Sequence, residues 1–405
     1  SGASARGKEK DVAGERVYLD WAAATPLLPE AKAAMTTFLS SDFGNPSAIH
    51  AEGVRARQAV DQARELAAKS LQVRPEYITF TSGGTEANNL AMLGMVEALR
   101  HTGREYQDMQ VITTKIEHPS VLRTVERLAS LGVIVDYVSV DEVGKIILTD
   151  LQELLSEKTI LVSCSYANSE IGVIQPLHNI KKTLRAAEER FKSDICWHVD
   201  AAQAPMWLNC QFDSIGADLL TLDTAKCCGP KGVGLLVCSH RAKLAPVVYG
   251  GQQEAGLRSG TENVTGITGA ATALQWSQAG RKKRVEMTAK VRDVGIEYLL
   301  RKIPTAILNG PLGDERLANN INISIPGLDT EFATIVLDKN GFAVSTKSAC
   351  SGAGGGESVV VFEISSDHTR ALSTLRLSIG PTTTTSELKK LVDVLQSHIE
   401  KMQNV

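Results

Sequence analysis

Hydrophobic residues change their spacing repeatedly along the first two thirds of the chain. Apolar positions with the spacing of a helix predict helices at residues 54–71, 86–99 and 177–192. Short apolar runs rich in β-branched residues lie between such segments and predict strands at residues 77–81, 111–113, 134–138, 160–164, 197–200, 219–221 and 234–237. This alternation predicts an α/β fold, in which a mostly parallel sheet is covered by helices on both faces.

The pattern changes after about residue 280. A long charged helix is predicted at 281–301 and an amphipathic helix at 385–402, while residues 320–325 and 375–379 alternate as half-buried antiparallel strands do. We therefore expect a large domain at 30–280 and a smaller α+β domain made of 17–29 and 281–405. We expect residues 1–16 to form a flexible polar leader, because they lack the apolar region of a signal peptide.

Composition narrows the choice of partners. A net charge of −3 over 405 residues gives no broad basic surface, and no apolar run approaches the roughly 18 residues that span a bilayer. We therefore expect neither a nucleic-acid nor a membrane partner. The seven cysteines lack the paired spacing of a zinc site, so we expect no metal and a reducing, cytoplasmic location.

Four polar segments carry candidate cofactor chemistry. Residues 81–86 (TSGGTE) join a strand to a helix and would present N–H groups to an anion, and Asp200 ends a buried strand where α/β sheets place ligands. Lys226, between small residues and a Gly-Pro turn, could act as a nucleophilic amine, and residues 258–263 (RSGTEN) supply further donors. Each segment alone also has a structural explanation: an ordinary turn, a helix cap or a solvated lysine.

Cys350 differs from the other six cysteines in its surroundings. It lies in a segment rich in glycine and serine, residues 345–356, whereas the others fall in or beside apolar runs. An exposed, mobile thiol can carry a group on sulfur, although the same segment could be a surface linker.

The order of these segments resembles the fold type I pyridoxal-phosphate enzymes, and most closely the NifS/IscS-like (group I) cysteine desulfurases. The resemblance extends from residue 17 to about residue 395. It rests on residues 18–20 (YLD), 22–26 (AAATP), 44–50 (GNPSAIH), 81–86 (TSGGTE), 117–118 (EH), 166–172 (YANSEIG), 198–203 (HVDAAQ), Lys226 with 229–232 (GPKG), 258–263 (RSGTEN), 348–350 (SAC) and 375–380 (LRLSIG).

The resemblance implies a role for each matching position. Pyridoxal 5'-phosphate would be joined covalently to Lys226 and would stack on His118, which could also shuttle protons. Its other contacts would come from Asp200 at the pyridine nitrogen and from Gln203 and Asn168 at the ring hydroxyl. The phosphate would be held by Gly84 and Thr85, and by Thr261 of a second subunit. Substrate would bind at Asn45, Asn168 and Arg376, and Cys350 would take the sulfur.

One departure from the family concerns the two positions that usually carry serine and histidine ahead of the lysine and donate to the phosphate. Here they are Asp223 and Ala225. A carboxylate beside a phosphate is unfavourable, and a methyl group donates nothing. Thr224 could replace the lost donor while Asp223 points away; otherwise each lost charge-assisted hydrogen bond costs roughly 1.5–3 kcal/mol.

The resemblance implies removal of sulfur from L-cysteine to give L-alanine and a persulfide on Cys350, in a homodimer that passes the sulfur to an acceptor protein. That acceptor would be an iron–sulfur scaffold or a thiolation carrier. Selenocysteine lyase and an aminotransferase or β-lyase of the same fold remain alternatives. Asp223 and Ala225 also leave open a scaffold protein that binds the cofactor weakly or not at all.

Overall fold

The computed structural model describes residues 16–346 and 356–403. The strands there are β1 (Val17–Tyr18), β2 (Ile78–Thr81), β3 (Gln110–Thr113), β4 (Ile134–Tyr137), β5 (Thr159–Ser165), β6 (Cys196–Asp200), β7 (Leu219–Asp223), β8 (Gly234–Cys238), β9 (Ile307–Leu308), β10 (Asn320–Ser324), β11 (Phe342–Ala343) and β12 (Thr374–Ser378). The helices are α1 (Pro29–Ser40), α2 (Ala51–Leu71), α3 (Gly84–His101), α4 (Pro119–Ser130), α5 (Leu148–Leu154), α6 (Leu177–Phe191), α7 (Phe212–Ile215), α8 (Val264–Ala279), α9 (Arg281–Lys302), α10 (Thr330–Lys339), α11 (Val359–Ser365), α12 (His368–Leu372) and α13 (Thr385–Gln403).

The central sheet has the strand order β2-β8-β7-β6-β5-β3-β4. β8 is antiparallel to both of its neighbours, and the other neighbouring pairs are parallel. Successive residues of β7 contribute to opposite faces: Leu220 packs in the core with α2, α6 and α8, and Leu219 in the core with α3 and α4. The predicted α/β fold, with a mostly parallel sheet covered on both faces, is confirmed.

Helix α6 ends one residue before its predicted end. Lys192 has a left-handed backbone (φ 54°) and caps the helix instead of continuing it. Apolar spacing does not reveal such an end, because the change lies in one backbone angle.

A second apolar core lies in the C-terminal part and includes residues from the amino-terminal segment. Leu19 packs there with Ile296 of α9, Ile321 of β10 and Leu377 of β12. The strand order of the small sheet is β12-β10-β9, with antiparallel neighbours, and β1 pairs in parallel with β11. The domain limits drawn from the sequence stay a prediction.

The alternating strands β10 and β12 are antiparallel, as predicted, but they are not half-buried. Every residue of both strands is buried. The polar positions of β10 are buried because they bind another loop: Asn320 and Asn322 each donate from Nδ2 to the carbonyl oxygen of Glu170 at 2.9 Å. The Glu170 carboxylate in turn accepts a hydrogen bond from Ser358. The polar face of the small sheet is therefore packed against the edge of the site.

Candidate active site

Three adjacent parallel strands end at one edge of the central sheet. The last residues of β5, β6 and β7 are Ser165, Asp200 and Asp223, and the strand register pairs Ser165 with Asp200 and Asp200 with Thr221. Open α/β sheets bind ligands at this edge. A cavity of about 190 Å³ lies there. Its lining includes nine residues predicted from the sequence: Gly84, Thr85, His118, Asn168, Asp200, Gln203, Asp223, Lys226 and Arg376.

Asp200 is held by hydrogen bonds at both carboxylate oxygens and is only 6% exposed. Oδ2 accepts from Nδ2 of Asn88 on α3 at 2.8 Å, and Oδ1 accepts from the N–H of Ala202 at 3.0 Å. The same Asn88 nitrogen donates to the Ser120 hydroxyl at 2.9 Å. These bonds fix the carboxylate at the floor of the cavity.

Lys226 is the last residue of a short 3₁₀ helix, Thr224–Lys226, that follows β7 directly. Its Nζ donates to the carbonyl oxygen of Ala23, which also lines the cavity. The amine therefore lies inside the cavity and is oriented by a main-chain acceptor from the amino-terminal segment.

His118 precedes α4 and caps it. Its Nδ1 accepts from the N–H of Ser120 at 3.1 Å. Because Nδ1 accepts this bond, the neutral imidazole carries its proton on Nε2. A ring with that proton arrangement can donate from Nε2 to a group bound in the cavity.

Two amide side chains of the cavity are anchored to the main chain. Asn168 donates to the carbonyl oxygen of Ile116 at 2.8 Å and accepts from the N–H groups of Glu170 and Ile171 at 2.8 and 2.9 Å. Gln203 donates to the carbonyl oxygen of Ala22 at 2.9 Å. Both side chains are thus held in place before any ligand binds.

Arg376 comes from β12 and brings a buried positive charge to the cavity. It is 2% exposed, and it donates to Asp20 Oδ1 at 2.9 Å and to the carbonyl oxygen of Ser169 at 3.1 Å. Its Nε has no hydrogen-bond acceptor among the described residues. A buried donor without an acceptor is costly, so this guanidinium is suited to bind an anionic group.

At the other end of the cavity Asp223 does not point away. Its Oδ2 accepts from the N–H of Gly84, the first residue of α3, at 3.2 Å, and its Oδ1 accepts from the N–H of Ala225 at 3.0 Å.

The expectation that Thr224 replaces the lost phosphate donor also needs correction. Thr224 is 1% exposed and does not line the cavity, because the 3₁₀ turn directs its side chain into the protein. Its hydroxyl donates to the carbonyl oxygens of Val233 and Pro230.

The turn before α3 depends on a close backbone contact. A Cβ atom at Gly234 of β8 would lie 2.5 Å from the backbone of Gly83, so only glycine fits. This contact sets the amino end of α3 directly beside the end of β7. Gly84 and Asp223 are neighbours for that reason.

Comparison with known proteins assigns the chain to a family. Residues 17–391 match the model of the family described as aminotransferase class-V. The chain belongs to the class-V aminotransferase family.

Two further comparisons place it among the NifS/IscS-like members. Cysteine desulfurase IscS of Dictyoglomus turgidum is 39% identical over 389 residues, covering 96% of this chain and 96% of that protein. A solved structure described as a NifS-like protein is 31% identical, with a TM-score of 0.87 and coverage of 95% of this chain and 99% of that one. The structure of SspA in complex with cysteine is 30% identical, with a TM-score of 0.76 and coverage of 90% and 99%. The resemblance inferred from the sequence is confirmed.

Besides Thr224, two of the described residues that were predicted to belong to the site do not line the cavity. Asn45 and Thr261 are exposed and do not line it; Asn45 accepts from the N–H of Ser47 in a turn. Thr261 follows Arg258, whose Nε donates to Glu86 of α3 at 2.9 Å. Cys350 lies outside the described residues.

The other six cysteines are poor candidates for a nucleophile. Five are buried, and Cys238 is partly buried. Burial raises the pKa of the Cys210 thiol to about 12 and that of Cys238 to about 11, and it raises the pKa of Cys227, beside Lys226, well above its ordinary value. These thiols therefore stay protonated near neutral pH.

Two residues that support the site, Asn88 and Glu117, had no role predicted from the sequence, although Glu117 lies in one of the matching segments. Asn88 is a buried polar residue on an otherwise apolar face of α3, one turn after Gly84. A polar residue at an apolar position of the helix pattern indicates a buried hydrogen bond, and this could be seen in the sequence. Glu117 is 4% exposed and accepts from the Thr114 hydroxyl at 2.7 Å. Burial, with a smaller contribution from the charge of Asp200, raises the pKa of Glu117 to about 7.

Among the described residues, the helices include none with the length and apolar character needed to cross a bilayer.

Proposed function

We propose that this protein is a pyridoxal 5'-phosphate-dependent cysteine desulfurase, which takes sulfur from L-cysteine and releases L-alanine. The observation that carries the proposal is the meeting of four kinds of group in one cavity: the amine of Lys226, the carboxylate of Asp200, the imidazole of His118 and the guanidinium of Arg376. The names of the relatives support the same activity.

The residues at the floor of the cavity fit the ring of such a cofactor. The Asp200 carboxylate can accept the proton of a pyridine nitrogen, and the Lys226 amine can bind an aldehyde. Gln203 and Asn168 would bind the ring hydroxyl, and His118 would lie against the ring. Asn88 Oδ1, which has no donor among the described residues, is a further polar atom that a ligand in the cavity can satisfy. The bound cofactor supplies an electron sink for the carbon that loses its proton.

The protein's own side chains would bind the substrate and move its protons. Arg376 would bind the carboxylate of L-cysteine in a charge-assisted pair through its unused Nε. Asn168 would border the bound amino acid, and a substrate contact of Asn45, which is exposed outside the cavity, stays a prediction from the sequence. Lys226 Nζ would take the proton from the α-carbon, and His118 Nε2 would donate a proton within the cavity.

Cys350 would accept the sulfur. Its thiolate attacks the substrate sulfur, an S–S bond forms, and the bond from the β-carbon to sulfur breaks with its electron pair on carbon. The carbon takes up a proton, alanine leaves, and Cys350 holds a persulfide. The raised pKa values of Cys210, Cys227 and Cys238 support this choice, because a buried, protonated thiol is a weak nucleophile.

We further propose a homodimer in the cytoplasm. Thr261, an exposed residue three positions after Arg258, would complete the phosphate site of the partner together with Gly84 and Thr85. Sulfur would pass to an acceptor protein of iron–sulfur cluster assembly or thiolation.

Turnover with a matched variant tests this proposal. The purified protein with cofactor and L-cysteine should produce alanine and, without a reductant, a persulfide found by mass spectrometry on the peptide with Cys350. Cys350→Ala should keep the visible absorbance of bound cofactor and lose the persulfide. A native rate of sulfur release by Cys350→Ala would contradict the assignment, and faster turnover of selenocysteine than of cysteine would favour the lyase alternative.

A further inference from the structure

We propose that Asp223 determines cofactor specificity: its carboxylate holds the anion position at the amino end of α3 and lowers affinity for the phosphorylated aldehyde relative to the unphosphorylated one. The proposal rests on the proposed function, because it concerns the phosphate end of the same cavity.

The position of the carboxylate carries the argument. Oδ2 of Asp223 accepts the N–H of Gly84, the first residue of an 18-residue helix, at 3.2 Å. The backbone N–H groups of the first turn and the helix dipole make this end of α3 suited to an anion. A phosphate and the Asp223 carboxylate therefore compete for the same N–H group.

The surrounding charges do not neutralise the carboxylate. Among the described residues, the lysine and arginine side chains form no salt bridge with Asp223. Arg258, on the loop that faces this end of α3, is paired with Glu86 instead. A phosphate placed here meets a negative charge that has no counter-ion at contact distance, and such repulsion is strong in a partly buried cavity.

Asp223 also has a structural role that must be separated from its charge. Its Oδ1 caps the 3₁₀ helix that leads to Lys226 by accepting the N–H of Ala225 at 3.0 Å. Asparagine retains an oxygen for this cap and removes the charge, so Asp223→Asn isolates the electrostatic effect. Asp223→Ser is a second neutral variant that can still cap.

The test compares two ligands that differ only in the phosphate. Cofactor-depleted protein is titrated with pyridoxal 5'-phosphate and with pyridoxal, and the dissociation constants are read from the visible absorbance of the bound aldehyde. We expect both variants to bind pyridoxal 5'-phosphate about tenfold or more tightly than the native protein does. Pyridoxal affinity should change by less than about twofold, since its binding involves no phosphate charge.

Asp61→Asn is the matched control, because Asp61 is an exposed aspartate on α2 outside the cavity. It should leave both constants unchanged. An unchanged or reduced preference for the phosphorylated ligand in both Asp223 variants would overturn the inference while leaving the proposed function standing. Failure of every form of the protein to bind either aldehyde would instead contradict the proposed function.

Discussion

The two ends of the cavity are both built at the ends of parallel strands, but their carboxylates have different partners. At one end the side chains that follow β5 and β6 are held by complementary hydrogen bonds, as Asn88 holds Asp200. At the other end Asp223, the last residue of β7, places its own carboxylate at the amino end of α3. The register of parallel strands thus fixes where a side chain lies, while its charge can change without altering the fold.

The largest expected effect comes from removing the amine between the two ends. Lys226→Ala should reduce alanine formation by about 10³-fold or more, because both covalent attachment and proton removal at the α-carbon are lost. Lys231→Ala is the control, since Lys231 Nζ donates to the Thr25 carbonyl and does not line the cavity. Substantial turnover by Lys226→Ala would contradict the assignment of this amine.

The same substitution should have different effects at the two aspartates, on turnover at one and on cofactor affinity at the other. Asp200→Asn removes the charge that would hold a pyridine proton, and turnover should fall by roughly 10²–10³-fold. Asp223→Asn should tighten binding of the phosphorylated aldehyde, as described above. Cofactor titration and alanine formation measure both variants. If the two variants had the same cofactor affinity and the same rate of alanine formation, the two ends of the cavity would not differ as proposed.

Glu117 behind the cavity predicts a pH dependence of stability. Its pKa rises from 4.5 to about 7 on burial, so the folded protein binds this proton more tightly than the unfolded chain. The stabilisation is complete below about pH 4.5 and is lost as pH rises to about 7. The loss amounts to about 3 kcal/mol of unfolding free energy.

Glu117→Gln should remove that part of the pH dependence in urea unfolding of the cofactor-free protein. Glu65→Gln, at an exposed position of α2, should retain it. Equal slopes of unfolding free energy against pH for native protein and Glu117→Gln would contradict the raised pKa.

The smallest effect concerns the link between the phosphate end and the loop that carries Thr261. The Arg258–Glu86 ion pair at 2.9 Å is partly exposed, so a double-mutant cycle with alanine should give a coupling free energy of about 1 kcal/mol or less. Arg258→Ala should also weaken pyridoxal 5'-phosphate binding more than pyridoxal binding. Equal weakening of both would show that the pair does not act on the phosphate end.

Local pattern predicted the central sheet well, because each strand is an apolar run bounded by turns. Asp200 and Lys226 could be placed in the site because Asp200 ends such a strand and Lys226 lies three residues after the end of another. The orientation of Thr224 and the buried polar face of β10 could not be predicted, since a single turn decides the first and contacts with the distant Glu170 decide the second. The sequence marks Asn88 as a polar residue on an apolar helix face, but it does not reveal the partner, because Asp200 lies 112 positions away.

The central claim is that the amine of Lys226 binds the aldehyde cofactor. Borohydride reduction of the loaded protein, followed by peptide mass spectrometry, tests it directly. The account predicts a pyridoxyl phosphate group on the peptide that contains Lys226. A modified peptide from another lysine, or none in a protein saturated with cofactor, would contradict it.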